Sequence, residues 1–158
     1  MTRDKPKPRH ILRPSLIVGW REWVCLPGLR IDMIKAKIDS GARSSSLHAE
    51  RIRYEDRGGE TWVLFDVFPL QRSSSMVVPC AIPLLEMRDV RSSNGEISTR
   101  PIVVTKLSLG GRRWPIELSL AARDQMGFRM LLGREAIRNR VLIDTGKSFL
   151  AKPPGDSD

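Results

Sequence analysis

The sequence is poor in the residues that stabilise small secreted folds, bind metals or cross membranes. Its 158 residues include two cysteines, two histidines and 6% aromatic residues. Two cysteines allow one disulfide at most, and for a cytosolic chain we expect Cys25 and Cys80 to be reduced thiols. No apolar run approaches the ~20 residues of a transmembrane helix. The N-terminus is basic but lacks the apolar stretch of a signal peptide, so we expect a cytoplasmic protein without a membrane segment.

Positive charge is the main excess in the composition. The chain has 27 lysines and arginines against 18 aspartates and glutamates, which gives a formal net charge of +9 at pH 7. Such an excess can indicate nucleic-acid binding. However, the few aromatic residues leave little for bases to stack on, and neither zinc-finger spacing nor a recognition helix is evident. We therefore favour a solvated, arginine-rich surface over a nucleic-acid partner.

Short β-prone segments separated by turn signals predict an all-β sandwich or barrel over residues 15–152. The segment Met76–Leu85 is broken by two prolines, which predicts an edge strand or an extended loop. The one good helix candidate is Arg134–Arg140. Residues 1–14 are predicted to form a flexible basic arm, and residues 153–158 a disordered tail.

The segment most typical of a catalytic site is Asp39-Ser40-Gly41-Ala42, which follows directly on the alternating strand Asp32–Ile38. The strand carries the carboxylate inward, the serine supplies a hydroxyl, and Gly41 lets the chain turn where a Cβ would obstruct it. Taken alone, these letters are also ordinary turn chemistry. A second motif favours a site: Leu131-Leu132-Gly133-Arg134 places two apolar residues, a glycine and an arginine before the helix candidate.

Together the two motifs resemble those of retropepsin-type aspartic proteases, whose single lobe couples Asp-Thr/Ser-Gly-Ala to a hydrophobic-hydrophobic-Gly-Arg motif before a helix. The chain looks most like a bacterial retropepsin-like family whose members carry the label ATP-dependent zinc protease. That closer resemblance is also carried by Val18–Trp23, Asp39–Ala49 and Val90–Glu96, and it extends over residues 16–150. It implies a closed acid-protease β-barrel lobe with one short C-terminal helix and with Asp39 at its active-site end.

The resemblance also implies a mechanism and a homodimer. Aspartic proteases use two carboxylates that share one proton, because like charges at close range cannot both ionise; one acts as the acid and the other activates a water. With one matching Asp39 in each chain, the dyad would form across a two-fold axis, and the Ser40 hydroxyl would bond across it. A polar hairpin would close over the peptide as the flap. Its residues are Arg91, Ser92, Ser93, Asn94, Gly95 and Glu96.

Two features depart from a simple match. A second strand leads into Asp144-Thr145-Gly146, but only 12 residues follow, too few for a second lobe, so we interpret Asp144 as a turn residue. Viral retropepsins carry an acidic residue four positions after the catalytic aspartate, where it pairs with the arginine of the second motif. Here that position is Arg43, so Arg134 is expected to find another acid, and the candidates are Glu135 and Asp32.

No cofactor or metal is predicted, in spite of the family label. His-Glu-x-x-His is absent, the two histidines are His10 and His48, and no Gly-rich phosphate loop ends in Lys-Ser/Thr. The expected partners are a second copy of the chain and a peptide or protein substrate. The alternative function is a non-catalytic module that binds a peptide or acidic chain and acts with an ATP-grasp amino-acid ligase, an association that the family resemblance implies. Its arginines would then hold carboxylates.

Overall fold

A computed structural model describes residues 15–71, 73–92, 94–122 and 127–155. The predicted basic arm, Ser93 of the predicted flap and residues 156–158 of the predicted tail lie outside them. Within the described residues the chain forms twelve strands and one α-helix. The elements are β1 (Leu16–Gly19), β2 (Arg21–Leu26), β3 (Ile31–Ile38), β4 (Ser45–His48), β5 (Glu50–Arg57), β6 (Glu60–Val67), β7 (Val78–Pro83), β8 (Glu86–Arg91), β9 (Ile97–Leu109), β10 (Arg112–Ala121), β11 (Met130–Leu132), α1 (Arg134–Ile137) and β12 (Val141–Asp144).

The predicted all-β class is confirmed, and the one α-helix of the described residues is shorter than predicted. We expected a helix over Arg134–Arg140, but α1 ends at Ile137. Arg138 has an extended backbone, with φ −55° and ψ 131°, and Asn139 has a left-handed φ of 60°. Asparagine tolerates this conformation better than most residues, so it lets the chain turn sharply from α1 into β12.

Seven strands form the largest sheet, in the order β10-β4-β11-β3-β2-β9-β8. The strand β10 also pairs along its length with β9, from Arg112 opposite Leu109 to Ser119 opposite Ile102. Hydrogen-bonded neighbours therefore run in a ring from β10 through β4, β11, β3 and β2 to β9. The strand β8 lies outside that ring and pairs with the first part of β9 as a hairpin.

The short strand β11 brings distant parts of the chain together. It runs parallel to β3, with Leu132 opposite Ile38, and antiparallel to β4, with Met130 opposite Leu47. All four of these side chains are buried. The end of β3 and the end of β11 therefore lie side by side, which places the two sequence motifs next to each other.

Two smaller sheets complete the described fold. The strands β5, β6 and β7 form an antiparallel sheet in which β7 is an outer strand. An outer position explains how a strand with two prolines is tolerated, because proline brings no N–H donor to a ladder. The strands β1 and β12 form a parallel pair whose side chains Leu16, Val18, Val141 and Ile143 pack on the core.

The core is formed largely by alternate residues of the ring strands, to which buried residues of β1, β6, β7 and α1 are added. In β3, Ile34, Ala36 and Ile38 are buried, as the alternation of the sequence predicts. The strand β2 shows the same period, but one of its inward residues is Glu22, whose side chain is only 1% exposed. A carboxylate buried so completely needs hydrogen-bond donors, and these are described below.

Candidate functional site

Asp39 is the first residue after β3, and its turn is held by hydrogen bonds to its own backbone and side chain. The Gly41 amide donates to Asp39 Oδ1 at 3.0 Å, and the Ala42 amide donates to the Asp39 carbonyl at 3.2 Å. The Asp39 amide donates to the Leu132 carbonyl of β11 at 2.8 Å. Among the described residues no donor reaches the other carboxylate oxygen, Oδ2. The half-buried side chain therefore presents one oxygen that is free to act on a ligand.

Gly133 packs against the backbone that follows the Asp39 turn. Its amide donates to Ser45 Oγ at 3.0 Å. A Cβ at this position would lie 2.4 Å from the Ser44 carbonyl oxygen, far inside van der Waals contact. The backbone of Gly133 has an extended conformation, with φ −89° and ψ 175°, so glycine is required here for close approach and not for its torsion angles.

Arg134 completes the contact between the two motifs. Its amide donates to the Ala42 carbonyl at 2.7 Å, and its guanidinium Nη1 donates to the Ser40 carbonyl at 2.9 Å. The expectation that Arg134 pairs with Glu135 or Asp32 is wrong. Glu135 instead accepts a hydrogen bond from Arg138 at 2.8 Å.

The reason lies in the geometry of this corner. The Ser40 carbonyl points out of the turn toward the start of α1, within reach of a guanidinium that follows Gly133 directly. A backbone carbonyl thus takes the place that the viral pattern gives to a carboxylate. Arg43 occupies the sequence position of that carboxylate. Its Nε lies 3.9 Å from Glu135 Oε1, and the two side chains form a loose, exposed ion pair.

A cavity of about 1120 Å³ opens between the Asp39 turn and the β8–β9 hairpin. Asp39, Gly41 and Ala42 line it on one side and Arg91 and Ser92 on the other. Leu131 of the second motif also lines the cavity, whereas Leu132 is fully buried behind it. The arrangement places a carboxylate opposite a hairpin across a space large enough for a peptide segment.

The tip of the predicted flap is a compact turn. The Ser92 amide donates to the Glu96 carbonyl at 2.8 Å, and the Gly95 amide donates to the Ser92 carbonyl at 2.9 Å. Gly95 has a φ of +86°, a conformation that L-residues rarely adopt. The side chain of Ser92 is buried and bonds to Asn94 Oδ1. Asn94, Gly95 and Glu96 do not line the cavity, so only the base of this hairpin faces Asp39.

Five arginines and four carboxylates line the cavity, which gives its wall a formal net charge of +1. Arg88 is neutralised, because it donates to Glu117 at 2.9 Å and also pairs with Glu86; these hydrogen bonds raise the pKa of its guanidinium. Arg91 and Arg140 form no ion pair among the described residues, and Arg140 lies over the ring of Trp114 at 4.9 Å. The charged residues that line the cavity are Arg43, Arg88, Arg91, Arg100 and Arg140 together with Asp39, Asp89, Glu117 and Glu135.

Sequence reasoning missed three residues of this site. Trp114 forms part of the cavity wall, and its indole Nε1 donates to the Ala136 carbonyl of α1 at 2.8 Å. Arg140 and Ser45 are the other two. Trp114 belongs to an alternating strand and could be predicted as buried, but no pattern marks it as facing Asp39. Ser45 stands in a run of three serines, a composition that conceals the strand β4.

The second Asp-x-Gly motif forms the same turn at a different place. The Gly146 amide donates to Asp144 Oδ1 at 3.1 Å, as Gly41 does to Asp39. However, Asp144 is exposed at the end of β12, opposite Gly19, and does not line the large cavity. The two turns therefore share a geometry and differ in their surroundings.

Both thiols are free, Cys25 half-buried and Cys80 buried. Burial raises the pKa of the Cys80 thiol to about 11, and the nearby Asp66 adds to the effect. Among the residues that the structure describes, no group of three His, Cys, Asp or Glu side chains could hold a metal ion. In the same part of the chain, no helix is long and apolar enough to cross a membrane.

The family model for RimB-like proteins, described as the retropepsin-like aspartic endopeptidase RimB, matches residues 17–154. The chain belongs to the RimB-like family. The resemblance inferred from the two motifs is therefore confirmed at the level of the family.

Curated relatives carry a different name. Residues of this chain are 47% identical over 135 positions to a probable alpha-L-glutamate ligase of Shewanella halifaxensis, covering 85% of this chain and 30% of that protein. A probable alpha-L-glutamate ligase of Parasynechococcus marenigrum is 50% identical over 130 positions, covering 82% of this chain and 28% of that protein. The chain thus spans about three tenths of the length of the curated relatives it matches.

A solved structure has a similar fold. A protein of unknown function from Legionella pneumophila superposes with a TM-score of 0.71 at 25% sequence identity. The match covers 87% of this chain and 98% of the Legionella chain. The matched fold thus accounts for nearly all of the solved Legionella chain.

Proposed function

We propose that this RimB-like chain is an aspartic endopeptidase whose dyad consists of Asp39 from two copies. The observation that carries the proposal is the Asp39 carboxylate, which has one oxygen fixed by Gly41 and the other free, on the wall of a peptide-sized cavity. A closed barrel lobe, as in retropepsins, is part of the proposal, and the ring of paired strands supports it.

In the proposed reaction the two Asp39 carboxylates share one proton across a two-fold axis. The ionised partner takes a proton from a water, which attacks the scissile carbonyl, while the protonated partner donates its proton to the carbonyl oxygen. Collapse of the tetrahedral intermediate breaks the C–N bond, and the amine leaves with a proton. The Ser40 hydroxyl and the frame of Gly133 and Arg134 are proposed to hold the two turns in place.

We further propose that the substrate is an acidic peptide. The cavity wall carries two arginines without carboxylate partners among the described residues, Arg91 and Arg140, and a carboxylate-rich chain would supply those partners. Relatives named alpha-L-glutamate ligases support this choice, because such enzymes join glutamate. The free thiols Cys25 and Cys80 suit a reducing, cytoplasmic setting.

A second candidate is a non-catalytic module that binds acidic chains beside a ligase. The relatives favour it, since the matched segment is about three tenths of proteins that are named as ligases. In this case the cavity would hold the acidic chain, and Asp39 would not be needed for binding. The partner would be an ATP-grasp amino-acid ligase.

The decisive experiment compares Asp39→Asn with Asp144→Asn as a matched control, because the two aspartates form the same turn. Each protein is incubated with a peptide library that includes glutamate-rich sequences, and its mass in solution is measured by sedimentation. We expect a wild-type dimer that cleaves, an inactive Asp39→Asn dimer and an active Asp144→Asn dimer. A wild type that is monomeric throughout, or cleavage by Asp39→Asn, would contradict the dyad; acidic-peptide binding without cleavage would favour the second candidate.

A further inference from the structure

Glu22 is a buried carboxylate that the proposed reaction does not use. Its side chain is 1% exposed. Glu22 belongs to β2, which pairs with β3, the strand that ends just before Asp39. Three backbone amides donate to it: Gly19 at 2.7 Å, Leu150 at 2.8 Å and Ala151 at 3.0 Å. Backbone donors aimed at a buried carboxyl group offset much of its desolvation, so these three hydrogen bonds are what allows Glu22 to be buried.

Two of these donors belong to one segment, residues 147–151, which we call the strap. The strap lies along the turn between β1 and β2. The Trp20 amide donates to the Lys147 carbonyl at 2.9 Å, and the Phe149 amide donates to the Arg21 carbonyl at 3.0 Å. The approach is close, because a Cβ on Gly19 would lie 2.2 Å from the Lys147 carbonyl oxygen.

Side chains fasten the strap as well. The ring of Phe149 stacks on Trp23 with centroids 5.9 Å apart. The guanidinium of Arg21 lies 4.7 Å from the Trp20 ring and 5.0 Å from the Phe149 ring, and its Nε donates to Ser148 Oγ at 3.1 Å. The strap thus holds the turn through backbone, charge and aromatic contacts together.

The opposite side of the same turn supports the Asp39 strand. The Trp20 carbonyl accepts a hydrogen bond from the Ile38 amide at 2.8 Å. Ile38 is the last residue of β3, and the next amide, that of Asp39, donates to Leu132. The turn between β1 and β2 is therefore hydrogen-bonded to the strap on one side and to the last residue of β3 on the other.

We propose that Glu22 is a positioning residue for Asp39, acting through the strap and the Trp20 turn. The catalytic part of this inference rests on the proposed function, whereas the mechanical part does not. Removing an acceptor oxygen from Glu22 loosens the strap, and with it the Trp20 turn that the strap holds. Because the Trp20 carbonyl accepts from the Ile38 amide, the end of β3 and the Asp39 turn can then move. Glu22 itself touches neither the cavity nor a substrate.

Hydrogen exchange of the intact chain tests the mechanical part. The variants are Glu22→Gln, which replaces one acceptor oxygen by an NH₂ group, and Leu150→Pro, which leaves Glu22 unchanged, removes one donor and also disfavours the left-handed backbone of Phe149, whose φ is 55°. Ser148→Ala is the matched control, since it removes only the contact with Arg21. We expect both variants to raise the exchange rates of the Ile38, Asp39 and Gly41 amides by about tenfold, with β9 and β10 changed by less than about twofold.

Two outcomes would overturn the proposal. Faster exchange confined to residues 147–151 would mean that the strap does not reach Asp39, and an equal rise in β9 and β10 would mean general destabilisation. If Glu22→Gln does not fold, Leu150→Pro decides alone.

Kinetics with a peptide that the wild type cleaves test the catalytic part. We expect both variants to lower kcat and to leave KM unchanged, because the binding cavity is not altered. An unchanged kcat despite faster exchange at Asp39 would reject the positioning role. A wild type that cleaves nothing would remove the proposed function, and the exchange result would still decide whether the strap controls the Asp39 turn.

Discussion

The guanidinium of Arg134 donates a hydrogen bond of 2.9 Å to the backbone carbonyl of Ser40. Because the Arg134 amide also bonds to the Ala42 carbonyl, one residue holds the Asp39 turn at two points. The two motifs, which lie far apart in sequence, therefore form one structural unit. This arrangement needs no acidic partner for the arginine and is compatible with the basic Arg43 in the position where viral retropepsins have an acid.

We expect Arg134→Met to reduce cleavage more than stability. The side chain is exposed, so the loss of its hydrogen bond should cost about 1 kcal/mol in the free energy of unfolding. A freer Ser40 carbonyl would misplace the Asp39 turn, and kcat should fall by about tenfold or more. Arg138→Met is the control, since Arg138 is an exposed arginine just past α1 whose side chain donates to Glu135. Equal losses in both variants would argue against the role given to Arg134.

Gly133 and Gly146 should respond differently to the same substitution. Gly133→Ala places a Cβ 2.4 Å from the Ser44 backbone oxygen, and we expect a loss of at least about 3 kcal/mol in the free energy of unfolding. Gly146→Ala meets only Asp144 Oδ1 at 3.6 Å, an ordinary contact, and should change stability by less than about 0.5 kcal/mol. Urea denaturation of both variants measures the difference. A well-folded Gly133→Ala protein would mean that the two motifs can separate.

Arg91 and Arg140, which line the cavity and form no ion pair with any described residue, should determine affinity for acidic chains. We expect Arg91→Met and Arg140→Met each to weaken binding of an α-linked hexaglutamate by about tenfold, because each removes one charge-assisted contact. Calorimetry on the Asp39→Asn background measures binding without cleavage. A hexaglutamine peptide and the exposed Arg53→Met variant are the controls. Equal affinity for the two peptides would contradict an acidic substrate.

The buried thiol of Cys80 should make stability depend on alkaline pH. Its pKa is raised from 9.0 to about 11, mainly by burial, so the unfolded chain loses this proton first. The contribution is therefore complete below pH 9 and is lost as pH rises from 9 to 11. Comparing urea midpoints of wild type and Cys80→Ala over this range, with reductant present, isolates the effect. Parallel curves for the two proteins would contradict it.

Much of the site could be predicted from the sequence, because local chemistry specifies it. The Asp39 turn needs a preceding strand, an aspartate whose side chain can accept an Asx-turn hydrogen bond, and a small residue. The sequence indicates all three, through the alternating segment before Asp39, Asp39 itself and Gly41. Gly133 is likewise marked by its neighbours. The alternation of Ile34, Ala36 and Ile38 was sufficient to predict a half-buried strand. Two prolines in Met76–Leu85 predicted an edge strand or an extended loop, and the structure has the edge strand β7 there.

The remainder depends on long-range packing that no local pattern records. Sequence reasoning gave Arg134 an acidic partner, whereas the fold supplies the Ser40 carbonyl. It gave no role to Glu22, whose partners Leu150 and Ala151 lie at the other end of the chain. The strand β4 was missed because its serines favour turns, and only pairing with β10 and β11 makes it a strand.

The strand β9 extends for 13 residues without interruption, from its hairpin with β8 into the ring. Its side chains alternate in register with β10, so a single inserted residue within it would turn Leu107 and Leu109 from the core toward solvent. We therefore expect insertions and deletions in this family to be tolerated in the turn between β8 and β9 and to be selected against within β9. The hairpin that we propose as the flap can then vary in length among relatives only outside its strands.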